Sequence, residues 1–232
     1  MLIFSALILL QCDLFVVILQ RLNLRNMETT TNDTKLAIWY DDDGNQKIVT
    51  IANYRELEQK KDKEELADFI YHRLHSRYLK PFDFSDKDYK KQYKNGFSIM
   101  ANCCLLIETL QCFKEGIADS TGQSGEIFNK FFNEESNFTD FKGDDFYKNI
   151  RCGILHQGEI KGGYKIDRND NKLFDANSLT ISSVLFAEEL KFSLKKYSND
   201  LKTTDFDNDK LWKNFCKKMD SIIENCNLTN KN

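Results

Sequence analysis

The chain has 232 residues, 41% hydrophobic and 12% aromatic, so it can build a core and is not intrinsically disordered. Basic and acidic residues nearly balance at a formal net charge of −3. This balance excludes a general attraction to nucleic acids or anionic membranes, and any such contact needs a local basic patch. The odd number of cysteines, seven, favours a reduced, cytoplasmic protein over a disulfide-bonded secreted one.

An apolar segment opens the chain. Residues 2–19 carry few polar side chains and precede two arginines, which is nearly the length and flanking charge of a membrane span. Asp13 near its centre opposes that interpretation, because a carboxylate at mid-membrane costs about 2.5–3.5 kcal/mol. Three explanations of residues 1–26 therefore stay open: a mis-called start ahead of a true Met27, a membrane anchor, or a buried helix. Attachment to a membrane is expected only if the segment is a real anchor.

Residues 27–60 are interpreted as a hairpin and a lead-in to the main domain. Apolar and β-branched residues fill Leu36–Tyr40 and Lys47–Ile51. They flank the polar stretch Asp41–Asn45, in which Gly44 can take a turn position with positive φ. This pattern predicts a β-hairpin.

Two helices are predicted next. Between Leu66 and Tyr78 the apolar residues recur every three or four positions, which predicts a helix of about six turns ending at Pro81. Phe97–Phe113 is almost wholly apolar and precedes Gly116. That pattern is typical of a buried central helix with a glycine cap.

The remaining pattern is again mostly helical. It predicts a Phe-rich helix around Phe128, a helix from Asp144 to His156, and two long helices over 181–201 and 211–226. Tyr164–Ile166 and Lys172–Phe174 bracket a polar turn and predict a second hairpin. The sequence therefore predicts a mainly α protein with one helical domain over 61–228 and two small β-hairpin insertions.

Arg151 and His156 are the candidate catalytic residues. Five positions along an α-helix turn through about 500°, so the two side chains should lie about 140° apart around the axis, from where they can line opposite walls of a groove. A two-fold dimer would bring two arginines and two histidines into one composite cleft. Gly153 lies between them and permits close approach of a helix at that point, and its cost of about 1 kcal/mol against alanine suggests that something packs there.

This pair suits cleavage of an RNA phosphodiester by transesterification without a metal. His156 could take the proton of a 2′-hydroxyl or protonate the leaving oxygen, because an imidazole exchanges protons near neutral pH. Arg151 could hold the non-bridging phosphate oxygens in its planar fork and stabilise the charge of the transition state.

An Arg-x4-His spacing late in a helical bundle resembles the motif of the HEPN superfamily, whose members carry Arg-x(4–6)-His in the last part of a compact helical fold. The resemblance covers roughly residues 66–226. In that family the residue after the arginine is usually polar, and here it is Cys152.

The resemblance implies a HEPN-like helical bundle with Arg151 and His156 as the catalytic pair. It implies a homodimeric, metal-independent endoribonuclease of a toxin–antitoxin, abortive-infection or other defence or stress system. RNA would be the substrate, a neutralising antitoxin a further partner, and no cofactor would be needed. Other members are inactive or bind nucleotides, so a non-catalytic RNA- or nucleotide-binding protein is the alternative. A third interpretation is an unrelated helical protein whose Arg and His are simply solvated.

Further residues could support the site. Arg73, His75, Arg77 and Lys80 would form a phosphate-binding patch if the groove runs past them. Glu108 lies in the most apolar predicted helix, where it either orients Arg151 or His156 from a buried position or faces water at an edge. No metal site is expected, because no ligand at matching spacing completes a set with the histidines at 72 and 75.

Overall fold

The computed structural model describes residues 32–41, 43–82, 95–168 and 171–228, except for the side chains of the last two residues. The apolar segment 1–26 lies outside the described residues. Within them the chain is mainly helical, as the sequence predicts, with a few short strands.

The first element is the expected hairpin. Strand β1 (Lys35–Tyr40) pairs antiparallel with β2 (Gln46–Thr50), and Gly44 takes a φ of 81° in the turn. The sequence interpretation missed the next element, helix α1 (Ile51–Lys60), which begins where β2 was expected to continue. Thr50 and Asn53 form a reciprocal capping box that starts this helix.

Helix α2 (Lys63–Tyr78) carries the predicted apolar face. It has 16 residues, so it is shorter than the predicted six turns. Lys61, with a φ of 55°, ends the preceding helix, and Asp62 caps α2 by accepting a hydrogen bond from Glu65 N–H. Pro81 lies in a 3₁₀ turn, Lys80–Phe82, just after the helix.

Helix α3 (Gly96–Glu115) is the central helix that the sequence predicts, and Gly116 ends it with a left-handed φ of 65°. It packs against α7 (Ser183–Thr203) and α8 (Lys210–Leu228). Among the described residues it is the one helix long and apolar enough, by length and composition, to cross a membrane. More than half of its apolar window is buried inside the protein.

Between α3 and α7 the chain forms a phenylalanine cluster. Helix α4 (Ser124–Glu134) and a 3₁₀ turn, Ser136–Phe138, precede α5 (Gly143–Phe146). Phe132 contacts several other phenylalanine rings of the cluster, and its ring centroid lies 4.8 Å from that of Phe146 on α5. The cluster therefore fixes the start of the helix that carries Arg151 against α4.

The prediction of a second hairpin was wrong. Strands β3 (Lys165–Asp167) and β4 (Phe174–Asp175) both pair with a third strand, β5 (Thr180–Ser182), which lies between them. The β3–β5 pairing is parallel and the β4–β5 pairing is antiparallel. Strand β5 is hard to recognise because it runs directly into α7, whose first turn Ser182 caps through Leu185 N–H.

Candidate active site

The helix that carries the candidate residues is continuous but not uniform. Helix α5 leads into a π-helical turn, Tyr147–Arg151, which leads into α6 (Cys152–Gln157). In the π turn Cys152 N–H donates to the carbonyl of Tyr147, five residues earlier. Such turns are rare and occur frequently at functional sites. Gly158, with a φ of 68°, ends the helix.

Arg151 and His156 are in direct contact. Arg151 Nη1 lies 3.1 Å from His156 Nε2. The prediction that they line opposite walls was therefore wrong, because the long arginine side chain reaches around the helix to the imidazole. A guanidinium has only N–H donors, so Nε2 must be the acceptor in this contact. The imidazole that makes it is neutral and carries its proton on Nδ1.

A carboxylate from the central helix holds the other end of the guanidinium. Arg151 Nη2 donates to Glu108 Oε2 at 3.1 Å, and Ser124 Oγ on α4 donates to Glu108 Oε1 at 2.7 Å. The side chains of Arg151 and Glu108 are only 15% and 12% exposed. Of the two placements considered for Glu108, the structure shows the buried partner of Arg151.

Burial and charge act in opposite directions on this ion pair. Desolvation raises the pKa of Glu108, but hydrogen bonds from Ser120, Ser124 and Arg151 outweigh it and leave that pKa below its ordinary value. Desolvation likewise lowers the pKa of Arg151, and the hydrogen bond and charge of Glu108 more than restore it. Both groups are therefore ionised at neutral pH, and each keeps the other charged.

Tyr147 forms a third side of the site. Arg151 Cζ lies 5.6 Å from the centre of the Tyr147 ring, within the range of a cation–π contact. A hydrogen bond with Cys152 and then burial raise the pKa of the Tyr147 hydroxyl. Arg151 Nε is buried and has no hydrogen-bond partner among the residues that the structure describes, so the exposed edge of the guanidinium is the one that faces His156. The sequence interpretation missed Tyr147 and Ser124, although a tyrosine four residues before an arginine is a helical neighbour.

Gly153 is tightly packed, as predicted, but its neighbour is the following loop of the same chain and not another helix. A Cβ atom at this position would collide with the carbonyl oxygen of Glu159. Past the end of α6 the chain folds back, so that Glu159 N–H donates to the Gly153 carbonyl and Lys161 N–H donates to the Asn149 carbonyl. The glycine therefore positions the loop after His156, and the space beside it is filled by this chain rather than by a second copy.

The predicted phosphate patch is only partly at the surface. Arg73 is 5% exposed, and its guanidinium donates to the Leu36 carbonyl on β1, as does Arg77 at 3.3 Å. Burial and then the charge of Arg77 lower the pKa of Arg73 to about 10. Arg73 is therefore an anchor for β1, which corrects its prediction as a surface phosphate ligand. Lys80 is exposed, and His75 stacks on the Tyr71 ring at 5.4 Å between centroids.

Two further features concern metals and thiols. Among the described residues no group of three or more His, Cys, Asp or Glu side chains is arranged to hold a metal ion. Cys103 and Cys104 are free thiols buried on α3.

Comparisons with known proteins add no relative. No family model matches the chain, and neither the curated proteins nor the solved structures give a match. The likeness to the HEPN superfamily thus rests on Arg151, His156 and the helical architecture around them.

Proposed function

We propose that this protein is a metal-independent endoribonuclease of the HEPN type. The observation that carries the proposal is the contact between Arg151 and His156 at 3.1 Å. It joins a fixed cation to a surface imidazole, which are the two groups that transesterification of a phosphodiester needs. Glu108 supports the proposal because it holds the guanidinium from behind, on rigid helix α3.

The proposed reaction is an attack of a ribose 2′-hydroxyl on the adjacent phosphate. His156 Nε2 takes the proton of the hydroxyl while its oxygen forms a bond to phosphorus. The bond from phosphorus to the 5′-oxygen breaks, and the leaving oxygen takes a proton. The products are a 2′,3′-cyclic phosphate and a 5′-hydroxyl end. Arg151 stabilises the charge that grows on the non-bridging oxygens.

A second copy of the chain would complete the site. One imidazole cannot accept one proton and donate another in the same step, so a separate acid is needed at the leaving oxygen. A homodimer that places the same helix of two copies face to face supplies a second His156, which donates this proton when it is in its protonated, imidazolium form. The proposal places the protein in a defence or stress system. A neutralising antitoxin in that system would act by covering His156.

The alternative is a non-catalytic protein that binds RNA or nucleotides. The observation that favours it is that both terminal nitrogens of Arg151 are already engaged, one by Glu108 and one by His156. A binding protein would need the positive charge of this site but not a proton acceptor at position 156.

The test is RNA cleavage by the full chain in EDTA, on several single-stranded and structured RNAs. It compares the parent with Arg151→Ala, His156→Ala and Lys148→Ala, each shown to be folded by circular dichroism and thermal unfolding. Lys148 is an exposed cation on the same π turn, so its removal controls for loss of charge. We expect the parent and Lys148→Ala to leave 2′,3′-cyclic phosphate ends, and the other two variants to lose at least about 100-fold in rate.

Two outcomes would contradict the nuclease. Equal cleavage by the parent and both site variants would show that another group or a contaminant does the chemistry. RNA binding that depends on Arg151 but not on His156, with no cleavage of any RNA, would favour the binding protein.

A further inference from the structure

The bond between Arg151 and His156 also bears on how the site is controlled. The lone pair on Nε2 is the one that would accept the 2′-hydroxyl proton, and in this structure a guanidinium N–H occupies it. The proton-accepting nitrogen of His156 is therefore already hydrogen-bonded before any substrate binds.

The surroundings explain why the guanidinium stays in this position. Glu108 accepts a hydrogen bond from Nη2 and is itself held by Ser124, and the Tyr147 ring covers one face of the guanidinium. Nε is buried. Nη1 is left as the nitrogen that faces the surface, and His156 is an exposed side chain beside it. A ligand that approaches Arg151 from solvent therefore meets Nη1 and His156 together.

We infer that Arg151 masks the base of the free protein and that a phosphate oxyanion removes the mask. An anionic oxygen is a stronger acceptor for a guanidinium N–H than a neutral imidazole is. When such an oxygen binds Nη1, the guanidinium hydrogen turns to it and Nε2 is released for the 2′-hydroxyl. The ligand class is an oxyanion of a phosphate ester, so the regulation rests on the proposed function while the masking of His156 can be measured without it.

The first prediction concerns the tautomer of His156 in the free protein. With Nε2 held as an acceptor, the His156 proton lies on Nδ1, which is the less common form of a solvated imidazole. Nitrogen-15 spectra that correlate each ring nitrogen with the ring protons distinguish the two forms. The chain has three histidines, so the spectrum of His156→Gln identifies the signals of His156 by their loss.

The experiment uses the full chain labelled on histidine, at a pH where the imidazole signals are those of the neutral ring. We expect His156 to be the Nδ1–H form in the parent and in Lys148→Ala, and to shift toward the Nε2–H form in Arg151→Ala. Inorganic phosphate, and separately a 2′-deoxy dinucleotide that cannot be cleaved, should move the parent signals toward those of Arg151→Ala in a saturable way. A response to the dinucleotide alone supports release by a diester.

The inference is overturned if the parent already shows the Nε2–H form, or if neither phosphate nor the dinucleotide moves its signals. It stands or falls separately from the nuclease. A masked and releasable His156 in a protein that cleaves no RNA would retain the inference as an anion-sensing site and reject the enzyme. Cleavage of RNA by a protein whose free form has the Nε2–H imidazole would retain the nuclease and reject the masking of His156.

Discussion

At the scale of single residues, Arg151 is held by three kinds of contact. Its guanidinium forms an ion pair with Glu108, packs on the ring of Tyr147 and donates a hydrogen bond to the imidazole of His156. The first is the strongest, because a hydrogen bond between charged groups that are largely withdrawn from water contributes more than a neutral one. Glu108 should therefore be the residue whose loss most disturbs the position of Arg151.

Glu108→Gln tests this. The amide keeps the shape of the side chain but removes its charge, so the buried guanidinium loses its counter-ion. We expect the free energy of unfolding to fall by about 1.5–3 kcal/mol, measured by urea denaturation at pH 7. The control is Glu126→Gln, on the exposed side of the neighbouring helix α4, which should change stability by less than about 0.5 kcal/mol. Equal losses in the two variants would contradict a structural ion pair.

At the scale of elements, the sequence predicts what depends on apolar periodicity and on glycine. The central helix and its end at Gly116 follow from an apolar run and a residue that tolerates positive φ. The π turn before Arg151 has no such signature, because no residue type in Tyr147–Arg151 marks it in the way that a glycine marks the end of a helix. The contact between Arg151 and His156 was missed for the same reason, since ideal helical angles ignore both the π turn and the length of the side chain.

The packing of the loop after His156 also could not be predicted from the sequence, because the loop contacts the helix through backbone atoms. Gly153→Ala would push a methyl group into the Glu159 carbonyl. We expect a loss of about 1–3 kcal/mol in stability and faster hydrogen exchange at the amides of Glu159 and Lys161. The matched control is Gly125→Ala on α4, where the new Cβ would lie 3.5 Å from the Tyr147 ring, an ordinary contact.

The control should be neutral, or stabilising by up to about 1 kcal/mol from better helix propensity. If Gly153→Ala proved as harmless as Gly125→Ala, the loop would not be packed on the helix as described.

The hairpin is attached to the domain through side chains of α2, and this attachment can be tested by mutation. Arg73 is the buried donor to the Leu36 carbonyl, and Arg77 approaches the same oxygen at 3.3 Å. Arg73→Met should cost about 1–3 kcal/mol, because the buried carbonyl loses its main donor. Hydrogen exchange should become faster along β1 before it does along α3. Arg77→Met is the control, and a larger effect from Arg77 than from Arg73 would show that the anchor has been assigned to the wrong arginine.

At the scale of the whole molecule, a second buried ion pair ties distant elements together. Lys114 on α3 donates to Glu135, just after α4, and Ser193 Oγ on α7 donates to the same carboxylate at 2.8 Å. Glu135 is only 3% exposed. Three segments far apart in the chain therefore meet on one carboxylate, and its charge state affects the stability of the whole fold.

The pKa of Glu135 gives the direction of that effect. Desolvation raises it, but the charge and hydrogen bond of Lys114 and the hydroxyl of Ser193 hold it below the ordinary value of 4.5. A carboxyl with a lowered native-state pKa stabilises the fold fully above its unfolded-state pKa. That contribution is lost as the pH falls through the native-state pKa. The fold should therefore lose part of its stability in acid through this one group.

Glu135→Gln should reduce the free energy of unfolding at pH 7 by about 3 kcal/mol, the lower end of the cost of breaking a buried ion pair. The difference from the parent should shrink as the pH falls below the ordinary value of 4.5 and through the lowered native-state pKa, because the parent loses its carboxylate there and the variant has none to lose. The matched control is Glu115→Gln, which breaks a surface pair with Lys130 and should cost about 0–1 kcal/mol. A Glu135→Gln deficit that stays constant across this pH range would show that packing at position 135, and not its charge, holds α3, α4 and α7 together.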